Sequence, residues 1–350
     1  MPKFDPSSNT FTAVAPSNIA FLKYWGKRDP ARQWPANDSI SMTLSACKTV
    51  TTARRILDNF DSFTIDGVTI KSNSHKEHKI FRQLDRIRTS LNMSGNLEIS
   101  SENSFPSSCG IASSASGFSA LTLASAAALL GTSNWNELGA FGASRGTIAH
   151  LARMGSGSAG RSLFGGYVKW TAGDSHEQQD IKQLWPDEHW KLADVIVVIS
   201  SEPKATSSSE AHKAAWGSRL FGPRLAGISP RAKALEDAIN RKDLELLGRE
   251  IESEALEMHA VCMTGTPPIT YLTEKSAEFL AWLRAKRQRG ELNAWATIDA
   301  GPNLHLICQT QDAPAISKII QRDWSDLQII MDETGAGPSL ASSQRSSSNV

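Results

Sequence analysis

The sequence predicts an α+β protein of two domains. At 350 residues the chain has room for two cores, and 40% hydrophobic with 21% charged residues is the balance of a globular protein. From Val195 onward the candidate elements run strand, helices, strand, strand, helix, strand, a split βαβ order. Before that point, several β-like runs surround one Ala/Leu-rich helical segment. The polar stretch Thr171 to Lys191 between the two halves is the expected crossing. The expected divisions are therefore 1–190, 191–338 and a Ser-rich, disordered tail at 339–350.

Each element has a local reason. Thr10 to Ala15 is short and β-like. Alternation from Ser39 to Leu44 predicts a strand, and Thr49 to Ile56 is a second candidate. Phe63 to Ile70 reads as a hairpin turning at Asp66-Gly67. Ile80, Leu84, Ile87 and Leu91 recur at helical spacing within His75 to Leu91. Leu97 to Ser100 is strand-like and leads through Pro106 and Gly110 into a helix that ends near Leu130. Asn134 to Met154 holds one or two helices, and Tyr167 to Trp170 is a strand. Beyond the crossing come a buried strand at Val195 to Ser200 and a helical segment that opens at Thr206 to Ser209 and includes His212. A long helical pattern or helix pair follows from Arg231 to Ala260, broken at Thr264 to Pro268. Thr273 to Arg289 is an amphipathic helix. Ala294 to Asn303 and Leu304 to Cys308 are two strands joined by a turn containing Asp299. Ala313 to Trp324 is a helix and Leu327 to Met331 a strand.

Composition narrows the function. A formal charge of +1 offers no electrostatic footprint for nucleic acid or an anionic membrane. Cys47, Cys109, Cys262 and Cys308 stand singly, without zinc spacing, which points to a reducing, cytoplasmic setting. No stretch has the form of a secretory leader, and the most apolar run, Phe118 to Leu130, is too short to span a bilayer.

Three stretches carry chemistry. The first is Pro-x-x-x-Gly-x-x-Ser-Ser-Ala at Pro106 to Ala115. Small residues let a backbone approach a ligand, and the helix start behind them offers free N–H groups and a positive dipole end. Ser107, Ser108, Gly110, Ser113 and Ser114 are the candidate phosphate contacts; the plain alternative is a serine-capped helix. No Walker A motif occurs in the chain. The second stretch is Lys23-Tyr-Trp-Gly-Lys27, where two ammonium groups and a phenol within five residues make an anion clamp, against the alternative of a turn with surface lysines. The third is Gly155-Ser-Gly-Ser-Ala-Gly-Arg-Ser162, in which a Gly/Ser segment presents one cation, Arg161, suited to a carboxylate. Ser158 in that segment lacks the first glycine of a serine-hydrolase elbow. Asp299, before Gly301-Pro302, reads by itself as a turn aspartate.

The loop at Pro106 to Ala115 resembles the phosphate loop of the GHMP kinases. With Asn18-Ile-Ala, Lys23 to Lys27, Ser101 to Pro106, Gly155 to Ser162, Met258-His-Ala-Val-Cys262 and Asp299-Ala-Gly-Pro-Asn303 in order, the chain resembles the diphosphomevalonate decarboxylase family from about Thr10 to Pro338. The resemblance implies a GHMP-kinase fold: an N-terminal domain like ribosomal protein S5 domain 2 and a C-terminal ferredoxin-like domain. It implies that Mg-ATP phosphorylates the tertiary 3-hydroxyl of mevalonate 5-diphosphate. Loss of that phosphate and of carbon dioxide then yields isopentenyl diphosphate. Asp299 would act as general base, or as the anion that orients the hydroxyl and stabilises developing positive charge. Arg161 would hold the substrate carboxylate and Lys27 would neutralise the transferring phosphoryl group. Lys23, Tyr24, Ser156 and Ser158 would contact the substrate's phosphates or orient nearby groups. Ser208 would reach toward nucleotide and substrate. The resemblance also implies a homodimer; it names no Mg²⁺ ligand.

Asp38, Ser107-Ser-Cys109, Ser209 and His212 depart from the family pattern. The last two fall near the expected substrate pocket and leave open whether the substrate carries one or two phosphates at position 5. A phosphomevalonate decarboxylase or a 3-hydroxyl kinase of the same superfamily, and a non-catalytic metabolite-binding protein, are the competing readings. The set Asp299, Lys27 and Arg161 favours decarboxylation.

Overall fold

A computed structural model describes residues 9–75, 78–105, 113–175, 178–202 and 204–344. In chain order the elements are β1 Asn9–Leu22, β2 Lys27–Asp29, β3 Trp34–Pro35, β4 Ser39–Ile56, β5 Ser62–Ile65, β6 Val68–Lys71, α1 Lys79–Leu91, β7 Asn96–Asn103, α2 Ser113–Leu130, α3 Trp135–Ala140, α4 Arg145–Gly155, β8 Tyr167–Thr171 and β9 Asp180–Trp185. The second half holds β10 Leu192–Val198, α5 Ser208–Ala214, α6 Phe221–Arg241, α7 Leu244–Met263, α8 Glu274–Gln288, β11 Ala294–Ile298, β12 Leu304–Gln309, α9 Ala313–Asp323, β13 Gln328–Glu333 and β14 Ser339–Gln344.

The first sheet is built on β1 and β4, with strand order β14-β1-β4-β7-β5-β6 and β8 and β9 branching from β4. The two candidate strands at 39–44 and 49–56 are one continuous strand, β4. Its first part pairs with β8 and its second with β7, so one long ribbon serves two neighbours. The predicted hairpin is present, and Asp66 and Gly67 both take positive φ, as its two-residue turn requires. α2 lies across this sheet with nearly all of its residues buried against β1, β4 and its helical neighbours α1 and α4. It is the one described helix long and apolar enough to cross a membrane, and 83% of it is buried inside the protein, the condition of a core helix.

The second sheet has the order β11-β12-β10-β13, all antiparallel, which is the ferredoxin-like arrangement expected from the split βαβ pattern. One face, carrying Ala193, Val195 and Val197, packs on α8 and α9 through Phe279, Leu283, Ile316 and Ile320. The other face carries Ile196, Val198 and Ile307. It meets Ile19, Phe21, Ile40 and Met42 of the first sheet together with Ile228 and Leu235 of α6 and Leu247 and Ile251 of α7. The two sheets therefore share one apolar core, which fixes how they sit against each other. A polar lock reinforces it: the Asp332 carboxylate on β13 accepts from the backbone N–H groups of Ser45, Ala46 and Cys47 at 2.8, 2.7 and 2.8 Å. These donors lie where β4 changes partners, so their own ladder bonds are interrupted.

Three expectations are corrected. The first six residues of the Ser-rich tail are ordered: β14 pairs antiparallel with β1, Asn9 opposite Gln344 and Val14 opposite Ser339. Composition suggested disorder because serine side chains bury little, but here the main chain completes the exposed edge of β1 and Leu340 adds a partly buried apolar contact. The stretch Thr171 to Lys191 is more than a crossing, since β9 within it pairs with β8. The expected helical pattern or helix pair is the pair, parted at Lys242, whose φ of 58° ends α6, but it begins ten residues earlier than expected, at Phe221.

Candidate active site

β1 and the segment after it bring the site together. Lys23 follows the last residue of β1 and is 3% exposed. Its Nζ donates to Asp299 Oδ1 at 2.7 Å and to the Ala20 carbonyl at 2.7 Å. Its backbone is held as firmly: the N–H donates to Glu254 Oε1 at 3.0 Å, and the carbonyl accepts from Asn37 at 2.9 Å and from Arg224 at 3.3 Å. Glu254 is wholly buried on α7 and is ion-paired to both Arg224 and Arg231 of α6. Three segments distant in sequence thus clamp a single residue of the Lys23–Lys27 motif.

Glycine has a steric reason in two of the motifs. A Cβ on Gly26, which has φ of +79°, would lie 2.4 Å from the Phe221 ring, and a Cβ on Gly157 would lie 2.3 Å from the Tyr24 ring. Tyr24 fills that space. It packs between Trp170, at 4.9 Å between ring centroids, and His212, at 4.6 Å, and its hydroxyl lies 3.4 Å from the Gln33 carbonyl. Burial pushes its phenol well above the usual tyrosine range. His212 also stacks on Trp25 at 4.6 Å. Burial first, then the charges of Lys27 and Arg224, hold His212 neutral at physiological pH.

Asp299 follows β11 at the hairpin mouth. Burial pushes its carboxyl up, but the Lys23 charge, the His305 charge, the Lys23 hydrogen bond and Lys204 outweigh it, so it sits below the ordinary carboxylate value. His259 of α7 borders the same group. Burial and Lys23 bring it down to about 4, against an opposing hydrogen bond with the Asp299 backbone.

Arg161 lies in a 3-10 helix, Gly157–Leu163, rather than in an open loop. The residue is 2% exposed, and among the described residues its guanidinium donates to neutral acceptors: Asn18 Oδ1 at 3.0 and 3.3 Å, Ser41 Oγ at 3.0 Å and Ser39 Oγ at 2.7 Å. Burial brings it down to about 10, against the opposing influence of Asp299 and Tyr24. A buried guanidinium that hydrogen-bonds to no carboxylate among the described residues is only partly compensated, a condition that a bound anion relieves.

The nucleotide half of the expected site is described in part. Ser107, Ser108 and Gly110 fall outside the described residues. Ser113 and Ser114 open α2, and Ser114 Oγ lies 3.1 Å from Ser156 Oγ at the end of α4, so the first and third motifs meet. Ser158 is half-buried, and its carbonyl is 3.4 Å from Asn18 Nδ2. Lys27 is half-buried, with its Nζ 3.5 Å from Ser209 Oγ at the start of α5, beside Ser208. Burial and Lys213 bring Lys27 down to about 8. In the free enzyme its ammonium is present below that value and lost above it. kcat/KM for ATP should therefore fall as pH rises through about 8, and Lys27→Arg should remove the fall, because guanidinium does not titrate there. A pH series of initial rates with both forms checks this; an unchanged limb in the arginine variant would assign it to another group.

Sequence reasoning missed several neighbours. Asn18, Ser39 and Ser41 hold Arg161; the period-two run Ser39, Ser41, Thr43 was the available signal, because it puts three hydroxyls on one strand face. Lys204 approaches Gly301 and Asp299, and nothing local marked it. Asp38, one of the departures, is structural: its Oδ1 accepts from the Ala172 N–H at 2.8 Å, and Lys169 lies 3.5 Å from Oδ2.

Comparison with known proteins matches this arrangement. Residues 15–181 match the family model described as diphosphomevalonate decarboxylase-like N-terminal domain, and residues 194–347 match the mevalonate 5-diphosphate decarboxylase C-terminal domain. The chain belongs to the diphosphomevalonate decarboxylase family. A relative from Debaryomyces hansenii named diphosphomevalonate decarboxylase is 34% identical over 90% of this chain and 84% of its own. The structure of the mevalonate diphosphate decarboxylase from Enterococcus faecalis, described in terms of mevalonate diphosphate mediated ATP binding, superposes with a TM-score of 0.83 at 30% identity, covering 96% of this chain and all of that one. A structure described as MDDEF in complex with MVAPP, AMPPCP and magnesium superposes with a TM-score of 0.85 at 30% identity over the same shares. The two-domain α+β fold is that of the family.

Proposed function

We propose that the chain decarboxylates mevalonate 5-diphosphate with ATP, giving isopentenyl diphosphate, ADP, phosphate and carbon dioxide. The observation that carries the division of roles is the pairing of Asp299 with Lys23, within electrostatic reach of Arg161. A carboxylate held below its ordinary value is a weak base but a durable anion. This favours Asp299 as the group that orients the 3-hydroxyl and then faces positive charge as phosphate leaves the tertiary carbon. Lys23 would orient Asp299 rather than bind a phosphate. Tyr24 would act as a packing anchor for the lysine motif. Arg161 would receive the substrate carboxylate. As the carbon–carboxylate bond breaks, its electron pair forms the new double bond and the ion pair with Arg161 is lost. Lys27, Ser208 and Ser156 with Ser158 border the region where phosphates would lie, together with the α2 N-terminus at Ser113 and Ser114.

Among the described residues no cluster of three His, Cys, Asp or Glu exists to cage a metal. Mg²⁺ bound through nucleotide phosphates and water needs no such cage. It would supply charge neutralisation at the phosphates, and no step above is routed through it.

Cys262 and Cys308 are free thiols, which supports a reducing, cytoplasmic setting. A homodimer and domains at 1–190 and 191–338, with the last strand returned to the first sheet, complete the reading. Supplying ATP with mevalonate, its 5-phosphate or its 5-diphosphate and trapping carbon dioxide tests the substrate. Release is expected with the 5-diphosphate. Release only with the 5-phosphate, or ADP formed without carbon dioxide, would replace this reading with phosphomevalonate decarboxylation or 3-hydroxyl phosphorylation.

A further inference from the structure

Behind Asp299 lies a buried acid–imidazole pair that the reaction scheme does not use. His305 on β12 stands opposite Thr297 of β11 and Ile196 of β10. Asp194 lies two residues before Ile196 on β10, so strand alternation turns both polar side chains to the face that packs on the first sheet. His305 Nδ1 and Asp194 Oδ2 are 2.7 Å apart, with the side chains 2% and 0% exposed. Asp194 Oδ1 has no hydrogen-bond partner among the described residues. Burial pushes Asp194 up, His305 opposes this, and Asp332 and Asp299 add to it. A carboxylate buried opposite a second one, Asp332 of β13, is costly, and a hydrophobic pair of similar volume would pack there without that cost.

The register places the pair beside the site. Ile298 opposite Leu304 is the last pair of the β11–β12 hairpin, and Asp299 follows it. Two residues on from Thr297, Asp299 falls on the same face as His305 and is its diagonal neighbour across the hairpin, a spacing within side-chain reach. Thr297 on that face donates to the Ala20 carbonyl at 3.3 Å, the acceptor that Lys23 also uses. We propose that His305, fixed by Asp194, is a positioning residue for Asp299: it flanks the carboxylate that Lys23 engages and sets that carboxylate's direction and charge during phosphoryl transfer and decarboxylation. The proposal rests on the reading of Asp299 given above. Other groups face the same centre: Lys23, Lys204, His259 and Arg161 toward Asp299, Asp194 toward His305, and Asp332 toward Asp194. The His305 charge is among the influences that hold Asp299 low.

His305→Gln in the full-length chain keeps a donor for Asp194 and removes the imidazole. The double variant Asp194→Val/His305→Val removes both polar groups and so leaves no buried unpaired charge. Both are expected to fold, with KM for ATP and mevalonate 5-diphosphate within about twofold of wild type. Measured against wild type at each pH, kcat should fall by about threefold at pH 5 and by less at pH 8, because the carboxylate loses one of the influences that hold it ionised and is protonated more readily as pH falls. A loss that is the same at both pH values, a loss that only follows a lowered melting temperature, or no loss would overturn the proposal. Asp299→Asn is assayed in parallel. If it is inactive while both variants lack the pH-dependent loss, only the role of the pair fails. If it keeps turnover, the reading of Asp299 fails and this proposal with it.

Discussion

Asp299→Asn is expected to lower kcat by about 10³-fold, roughly 4 kcal/mol of barrier, while KM for ATP stays within about twofold. Asparagine keeps the size and one acceptor of aspartate, removes the charge and turns the second acceptor into an N–H donor, so the loss reports the carboxylate rather than the space it fills. The same change leaves the Lys23 ammonium, 3% exposed, facing an amide in place of a carboxylate. Removing one partner of a buried pair destabilises more than the pair was worth, although here the carboxylate is 27% exposed and solvent moderates the effect. A lower melting temperature is therefore expected as well, and it must be separated from the kinetic effect. Lys23→Met/Asp299→Asn removes both charges and should restore the melting temperature without restoring turnover. Stopped-assay rates, ATP binding by calorimetry and thermal unfolding of the three variants give the answer. Recovery of kcat in the double variant would reduce Asp299 to a structural partner of Lys23.

Arg161→Gln should separate stability from activity in the opposite direction. The guanidinium is buried among Asn18, Ser39 and Ser41, all neutral. Such a cation costs desolvation energy in the free protein, so replacing it with an amide that can use the same acceptors should leave the melting temperature unchanged or higher. With substrate the balance reverses, because the carboxylate loses a charge-assisted partner. kcat/KM for mevalonate 5-diphosphate should drop by about 10²-fold or more, the scale of truncating one side of a buried, hydrogen-bonded charge pair. The rise in melting temperature that substrate produces should shrink in parallel. A variant that unfolds at lower temperature and binds substrate normally would make Arg161 a structural arginine.

Much of the fold was legible because its signals are local. The Asp66-Gly67 hairpin, the helical spacing of Ile80, Leu84, Ile87 and Leu91, and the strand–helix order after Val195 each follow from period and turn chemistry. Elements whose stability comes from elsewhere in the chain were not. β14 exists because the edge of β1 is free, which no property of a serine run reveals. β9 owes its strand to β8 in the same way.

The sequence by itself determined the chemistry available: a Ser/Gly turn before a helix, two lysines four residues apart, one arginine in a Gly/Ser segment and an aspartate before Gly-Pro. Only the tertiary structure decided which of these groups meet. Lys23 and Asp299, 276 positions apart, form one ion pair, and Tyr24, one residue from Lys23, turns into the core against Trp170 and His212. His305 and Asp194 carry no motif at all and are brought beside Asp299 by sheet register. The physical reason is that hydrogen bonds and charges act over a few ångströms. A sequence names residue types, while the packing of two sheets on a shared apolar core sets the distances between them.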